Sequence, residues 1–519
     1  MTPLAAVQPR AAPAAPAVDD PLDIERFKLA IVVERPPGRA DWWMKRVGFP
    51  LGIALFAGIL AMPLPAGLAA GGRAALASFA LALIWWIAEP IPTYVTSLLL
   101  MVLLVFTGAW KEENVLGVLG LDVIWLNVLA FVLSAILVKT HLAKRIALHL
   151  LVRFGRRAGT TLLALLVVQL LLAPLIPATA ARAVMTLPLM LVVAAIYRST
   201  AQSPTNFGRN LFLQNLLGIN IFSSGFMTGS TANLMAVGFI LTMGGTRVYY
   251  TDWMFANLPV ALIGMAIAWW VGPHLLMPIA PEQATPRLAG GIEALRQQLA
   301  RMGRLSPGER RGLAIFGLVV FLWVTDRFHT GWFGFPISAV MAAMIGAIIA
   351  LTPRIGLLTW NDTDIPWHLL IFSAGAYAGG LALDQTGAAR WAIQGIFDAL
   401  HLSRGMNFWA VYVVVIAVNM YAHFFFTSKT MRTVIMIPMV ISVARYLGFS
   451  PLSLALPAAF TIDWVIGLPI SAKPNLILFT TGQYSVLDQL KYSLVMTTVG
   501  VVLLVIAGLT WFRVLGITP

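Results

Sequence analysis

In the stretch His423-Phe-Phe-Phe-Thr-Ser428-Lys429-Thr430-Met-Arg432-Thr-Val-Ile-Met-Ile-Pro438, a small polar knot carrying Lys429 and Arg432 lies between two apolar arms. Each arm is long enough to dip into a bilayer, but the knot is too polar to face lipid. A charge near the bilayer centre costs about 2.5–3.5 kcal/mol even on the lenient insertion scale, so such residues usually line a site or pathway. Broken backbone at membrane depth is tolerated only where protein or a water-filled cavity covers it. The alternative is an ordinary loop at the membrane surface, and a second copy of the knot argues against that. In 173–188, Ala173-Pro-Leu-Ile-Pro177-Ala178-Thr179-Ala180-Ala-Arg182-Ala-Val-Met-Thr-Leu-Pro188, Ala178 falls on Ser428, Thr179 on Lys429, Ala180 on Thr430, Arg182 on Arg432 and Pro188 on Pro438.

Each knot is followed by a second interruption that ends in Asn. The first is Thr228-Gly229-Ser230-Thr231-Ala232-Asn233 and the second Pro469-Ile470-Ser471-Ala472-Lys473-Pro474-Asn475. Aligning the two asparagines puts Thr231 on Lys473. Paired interruptions at matching places in two halves of a chain point to a transporter's central site.

The elements that must position these residues are helices in a membrane. The chain is 59% hydrophobic and 11% charged, with a mean hydropathy of +0.84, outside the range of a soluble domain. No strand-like alternation appears, and every span must satisfy its own backbone, so the fold class is an all-α polytopic membrane protein. The net charge is +14. Most Lys and Arg sit in short loops, where they orient the chain in the bilayer, and no nucleic acid partner is expected. Cysteine is absent, which excludes disulfides, thiol catalysis and Cys-ligated metal.

Taken in order, residues 1–46 read as a disordered cytoplasmic tail, rich in Ala and Pro and without a signal peptide's apolar core. Arg35, Arg39, Lys45 and Arg46 before the first span put this end in the cytoplasm. A first transmembrane repeat covers 47–280, with a re-entrant hairpin at 160–197 and a broken helix at 209–244. Glu89 in Trp85-Trp86-Ile87-Ala88-Glu89-Pro90-Ile91-Pro92 reads as a helix-end residue, because two prolines already stop the helix there. The basic stretch Lys139 to Arg157 reads as an amphipathic segment resting on headgroups. A cytoplasmic linker, 281–310, leads to a second repeat, 311–519, with a hairpin at 407–445 and a broken helix at 452–482. The expectation is about eleven transmembrane helices plus two re-entrant hairpins in two inverted repeats. No His/Asp/Glu metal cluster, paired carboxylates or nucleophile motif appears in the spans. Neither a metal, a cofactor nor an enzymatic activity is therefore expected, and two occluding tips do not suggest a channel.

The four stretches Trp85 to Pro92, Lys139-Thr140-His141-Leu142-Ala143-Lys144-Arg145-Ile146-Ala147, the two knots, and Leu468 to Asn475 together resemble the divalent anion/sodium symporter superfamily, which carries dicarboxylates, citrate and sulfate. In that family each hairpin tip carries a Ser-Asn-Thr triplet holding substrate carboxylates, and each half builds a sodium site between tip and broken helix. This sequence departs from the pattern: its triplets are Ala178-Thr179-Ala180 and Ser428-Lys429-Thr430, and the usual Thr-Pro-Pro-Asn is represented by Lys473-Pro474-Asn475. Both lysines fall where the second sodium would bind or just beside it. Arg182 and His423 resemble the family's exchanger branch. The resemblance also implies a homodimer, an elevator-like motion and a multi-pass location in the plasma membrane, such as a bacterial inner membrane.

The resemblance implies a substrate site of Thr179, Arg182, Ser428, Lys429, Thr430, Arg432, Lys473 and Pro474, framed by Thr228, Gly229, Ser230, Thr231, Asn233, Ser471 and Asn475. Lys429 and Lys473 are read as substrate-binding or charge-compensating cations, or else as structural partners of a carboxylate such as Asp463. Arg182 and Arg432 are either carboxylate forks or struts from tip to scaffold. Asp463, alone in an apolar span, is a proton-coupling group or a counter-ion. His423 and Trp464 read as packing residues. A fixed ammonium attracts an anion as a sodium ion would, but it cannot leave, so an empty carrier would hold uncompensated charge in the low-dielectric midplane. That favours sodium-independent exchange of C4-dicarboxylates or citrate-like anions, with a sodium- or proton-coupled symporter of carboxylate or sulfate as the alternative. The residues leave open which anion is carried and whether sodium takes part.

Overall fold

The computed structural model describes residues 39–286, 290–399, 405–426 and 428–519. Most of the expected N-terminal tail, and Thr427 at the second knot, lie outside the described residues. The described chain is helical throughout, with no strand. Among the described residues seven helices are long and apolar enough to cross a membrane, or eight when Pro307–Val324 and Asp326–Phe333, bent by 63°, count as one. A further set of apolar helices of 10–17 residues includes Ala158–Leu172, Thr231–Thr242 and Pro451–Phe460. These three pieces fall in the stretches that the sequence reading gave as a hairpin and two broken helices.

Boundaries differ from the sequence reading mainly at polar ends. The first helix runs Arg39–Ala61. It starts inside the stretch read as tail, because Arg39 to Arg46 carry no helix breaker and continue the turn of the span. The basic stretch after Lys139 contains the helix Leu142–Phe154. Arg145 on it does not face headgroups. It is buried and clamps the linker: Nε donates to Glu309 Oε1 at 2.5 Å, Nη1 to Gly303 O at 2.8 Å and Nη2 to Met302 O at 2.9 Å. Glu309 is fixed in turn by a capping box with Ser306. The linker helix Gly291–Arg301 therefore lies against Leu142–Phe154.

Two interruptions stand at the centre of the fold. In the first, Asn206–Ser224 is followed by a single 3₁₀ turn, Met227–Gly229, and the helix Thr231–Thr242. In the second, Pro451–Phe460 is followed by the turn Pro469–Ser471 and the helix Lys473–Phe479. The tip helices Thr179–Ile196 and Lys429–Leu447 begin at the two knots. Each tip helix packs against the post-break helix of the other half, Lys429–Leu447 on Thr231–Thr242 and Lys473–Phe479 on Thr179–Ile196.

Candidate functional site

The two breaks share one backbone frame. Asn233 Nδ2 donates to Phe226 O, and Asn475 Nδ2 to Leu468 O, each at 3.0 Å and each seven residues back. The residues before the post-break helices, Ser230 (φ −151°, ψ 154°) and Ala472 (φ −160°, ψ 156°), are extended in the same way. Helix starts then coincide at Thr231 and Lys473. Side-chain amides here satisfy carbonyls that a broken helix would otherwise orphan in a water-poor interior. Gly229 permits the tight first break, since a Cβ there would stand 2.2 Å from Ser223 O. Its counterpart Ser471 instead accepts a hydrogen bond from Leu468 N at 3.1 Å. Pro474 occupies the second helix's first turn, where its missing N–H costs nothing. Thr228 Oγ1 ties the first break to the first hairpin by donating to Pro174 O at 2.8 Å.

The arginines also correspond. Arg182 Nη2 donates to Ile219 O at 2.8 Å and Arg432 Nη2 to Thr461 O at 3.1 Å, acceptors that stand the same number of residues before Asn233 and Asn475. Each arginine straps its tip to its own half's broken helix, the strut of the two sequence readings. They differ in what remains. Arg182 also reaches Ser223 Oγ and, at 3.3 Å, Gly229 O. The residue matching Ser223 is Val465, and Arg432, which adds only Ile462 O, keeps buried Nε and Nη1 without a partner among the described residues.

The lysines part company. Lys429 is buried, and its Nζ donates to Asp463 Oδ1 at 2.8 Å. Ser230 Oγ, from the other half, donates to Asp463 Oδ2 at 2.9 Å. Asp463 is thus the counter-ion of Lys429 and stitches the second tip to the first break. Thr179 and Ile221 occupy the corresponding places in the first half, so this ion pair has no mate. Lys473 is exposed and makes no hydrogen bond or ion pair among the described residues. Thr179, Ser428 and Thr430 are half-buried beside the tips, and Ser428 Oγ and Thr430 Oγ1 share a 2.9 Å hydrogen bond. Thr231 is buried at the start of its helix.

Three buried cations, Arg182, Lys429 and Arg432, therefore surround one buried carboxylate. Among the described residues the other buried acids are engaged elsewhere, Glu309 with Arg145 and Asp326 with Tyr250 N and Thr251 Oγ1. Two positive charges remain uncompensated.

His423 and Trp464 are packing residues in the geometry. His423 bonds Met420 O at 2.6 Å, and Trp464 fills the gap left by Gly264 and Gly500. Sequence reasoning missed Asn220, which bridges the halves by donating to Val465 O at 2.9 Å and Asn475 Oδ1 at 3.2 Å. Its signal was a run of buried amides, Asn210, Gln214, Asn215 and Asn220, in an apolar helix.

The model of the sodium:sulfate symporter transmembrane region matches residues 42–518. An L-tartrate/succinate antiporter of Escherichia coli (strain UTI89) is 26% identical over 91% of this chain and 98% of its own length. A sodium-dependent dicarboxylate transporter, SdcS, of Staphylococcus saprophyticus is 26% identical over 85% of this chain and 86% of its own. The solved YdaH transporter of Alcanivorax borkumensis superposes with a TM-score of 0.52 over 92% of this chain and 99% of its own, at 11% identity.

Proposed function

Because the chain belongs to the sodium:sulfate symporter family, and is thus a multi-pass membrane transporter and not an enzyme, we propose that it carries divalent organic anions by sodium-independent exchange. The uncompensated pair of positive charges at the paired breaks carries this reading. Burying even one unpaired charge costs several kcal/mol, so the empty site resists crossing the low-dielectric interior until a dianion neutralises it. Lys473, exposed at the start of its helix, is the cation that first meets the anion. Thr179, Ser428 and Thr430 supply hydroxyl donors to its carboxylates, and Arg432 supplies its spare N–H groups. Asn233, Asn475, Gly229, Ser471, Thr228, Thr231 and Pro474 hold the frame. We read the halves as inverted repeats of a homodimeric elevator in the plasma membrane, with 281–310 as the cytoplasmic linker.

A second reading, sodium-coupled symport, is favoured by the neutral hydroxyls of Thr179 and Thr231 in the first half and by the likeness to SdcS. Radiolabelled succinate, citrate and sulfate uptake into empty or anion-preloaded proteoliposomes, with and without sodium, separates the two. Exchange requires uptake only into preloaded vesicles and indifference to sodium. Sodium-dependent uptake into empty vesicles overturns it.

A further inference from the structure

The Lys429–Asp463–Ser230 contact has a use that neither carboxylate binding nor scaffolding requires. Asp463 is fully buried, and both its oxygens are engaged by residues at the site's edge, Lys429 of the second tip and Ser230 of the first break. An acceptor only, and negative itself, it is no ligand for an anion. Its effect reaches the anion through charge: it lowers the site's fixed positive charge by one. Ile221 at the corresponding place in the first half makes no such correction.

We propose that Asp463 sets the valence of the transported anion, holding the site to dianions where the bare cations would favour a trianion. This rests on the anion-transport reading above. The substrate's charge, and not only its shape, is then read by a residue that does not touch it. Through the effective dielectric of buried sites, a unit charge about 10 Å away changes affinity roughly tenfold per unit of ligand charge. That factor is what separates citrate from succinate when Asp463 is neutralised.

The test is competition of unlabelled citrate and succinate against labelled succinate exchange in preloaded proteoliposomes at pH 8, where citrate is fully ionised. Asp463→Asn is expected to raise the citrate-to-succinate preference about tenfold. Lys429→Arg with Asp463→Asn, whose guanidinium stays protonated, gives the same shift and excludes loss of a proton from Lys429. Lys429→Gln lowers the preference by a similar factor. The double variant Lys429→Gln/Asp463→Asn, which restores the fixed charge with neither original side chain, returns to the wild-type preference. An unchanged preference in either single variant, or a double variant that does not return, overturns the valence role alone. Wild-type vesicles that take up neither anion overturn the transport reading and this proposal with it.

Discussion

The Lys429–Asp463 pair lends itself to a stability cycle. Two unit charges 2.8 Å apart attract by about 4–6 kcal/mol at an effective dielectric near 20. Removing both from water costs several kcal/mol per ion, so the pair as a whole comes out close to even with a hydrophobic pair of similar volume. Breaking it from one side is different, because the survivor stays buried, and that costs about 3–5 kcal/mol. The two sides are not equal. In Lys429→Met, Asp463 keeps the Ser230 hydroxyl and the attraction of Arg182 and Arg432, which puts the cost at the low end. In Asp463→Leu, Lys429 faces two guanidiniums with nothing to offset it, which puts the cost at the high end and lowers the unfolding temperature by several degrees. The double variant Lys429→Met/Asp463→Leu should recover most of the loss. Thermal unfolding of the purified protein in detergent, without anion, reads all four species, with little response to salt because the pair is buried. If Asp463→Leu is as stable as the wild type, or if the double loses the sum of the singles, the pair is not the buried, mutually dependent unit described here.

Three further outcomes follow from the same geometry. Arg182→Met leaves Gly229 O without its donor and should cost about 1–3 kcal/mol of stability. Arg432→Met likewise takes the donor from Ile462 O and, by removing the unpaired Nε and Nη1 as well, should weaken succinate binding about tenfold or more in addition to the stability loss, as read by thermal shift against graded succinate. Lys473→Gln, at an exposed position, should leave stability within about 0.5 kcal/mol of the wild type while weakening anion binding about tenfold by the same measurement. Asp362 accepts from Lys139 Nζ at 2.7 Å and from Thr359, and that lysine chiefly holds its carboxyl down at about 2. Against an unfolded value near 3.9, its stabilisation is complete above about pH 4 and lost as pH falls toward 2, so amide protection in 359–363, relative to the intrinsic exchange rate at each pH, should fall over that window and show no such step in Asp362→Asn.

The all-helical class and the two breaks were legible because each is written in local chemistry: long apolar runs, Pro and Gly at the interruptions, and an Asn that must satisfy a carbonyl. The register of Arg182 with Arg432, and of Thr231 with Lys473, could be read before any coordinates, and the shared backbone frame agrees with it. What could not be read was the direction each side chain takes. Lys429 and Lys473 look alike in one dimension, and only the packing of the second tip on its own half's broken helix sends the first to Asp463, while the second stays exposed. Arg145 looked like its basic neighbours on the headgroups. Its inward turn depends on Glu309, more than 160 residues away in sequence, and no local pattern reports that. Ser223 and Asn220 escaped notice because a hydroxyl or amide inside an apolar helix gives no hint of which distant partner it meets.

The asymmetry between the halves also bears on the movement of an empty carrier. A counter-ion for the tip lysine would let an empty carrier cross if that lysine were its only buried charge, and Asp463 supplies one. But the same frame that repeats the tips repeats the arginines, and nothing repeats the aspartate: Ile221 stands in its place. One carboxylate against three buried cations leaves the buried part of the site with two positive charges in excess, the exposed Lys473 standing outside that count. A dianion closes that gap and a monoanion halves it. On the exchange proposed above, the barrier to empty return is set by the two arginines at corresponding places, while the one acid without a counterpart lowers that barrier by a single charge without removing it.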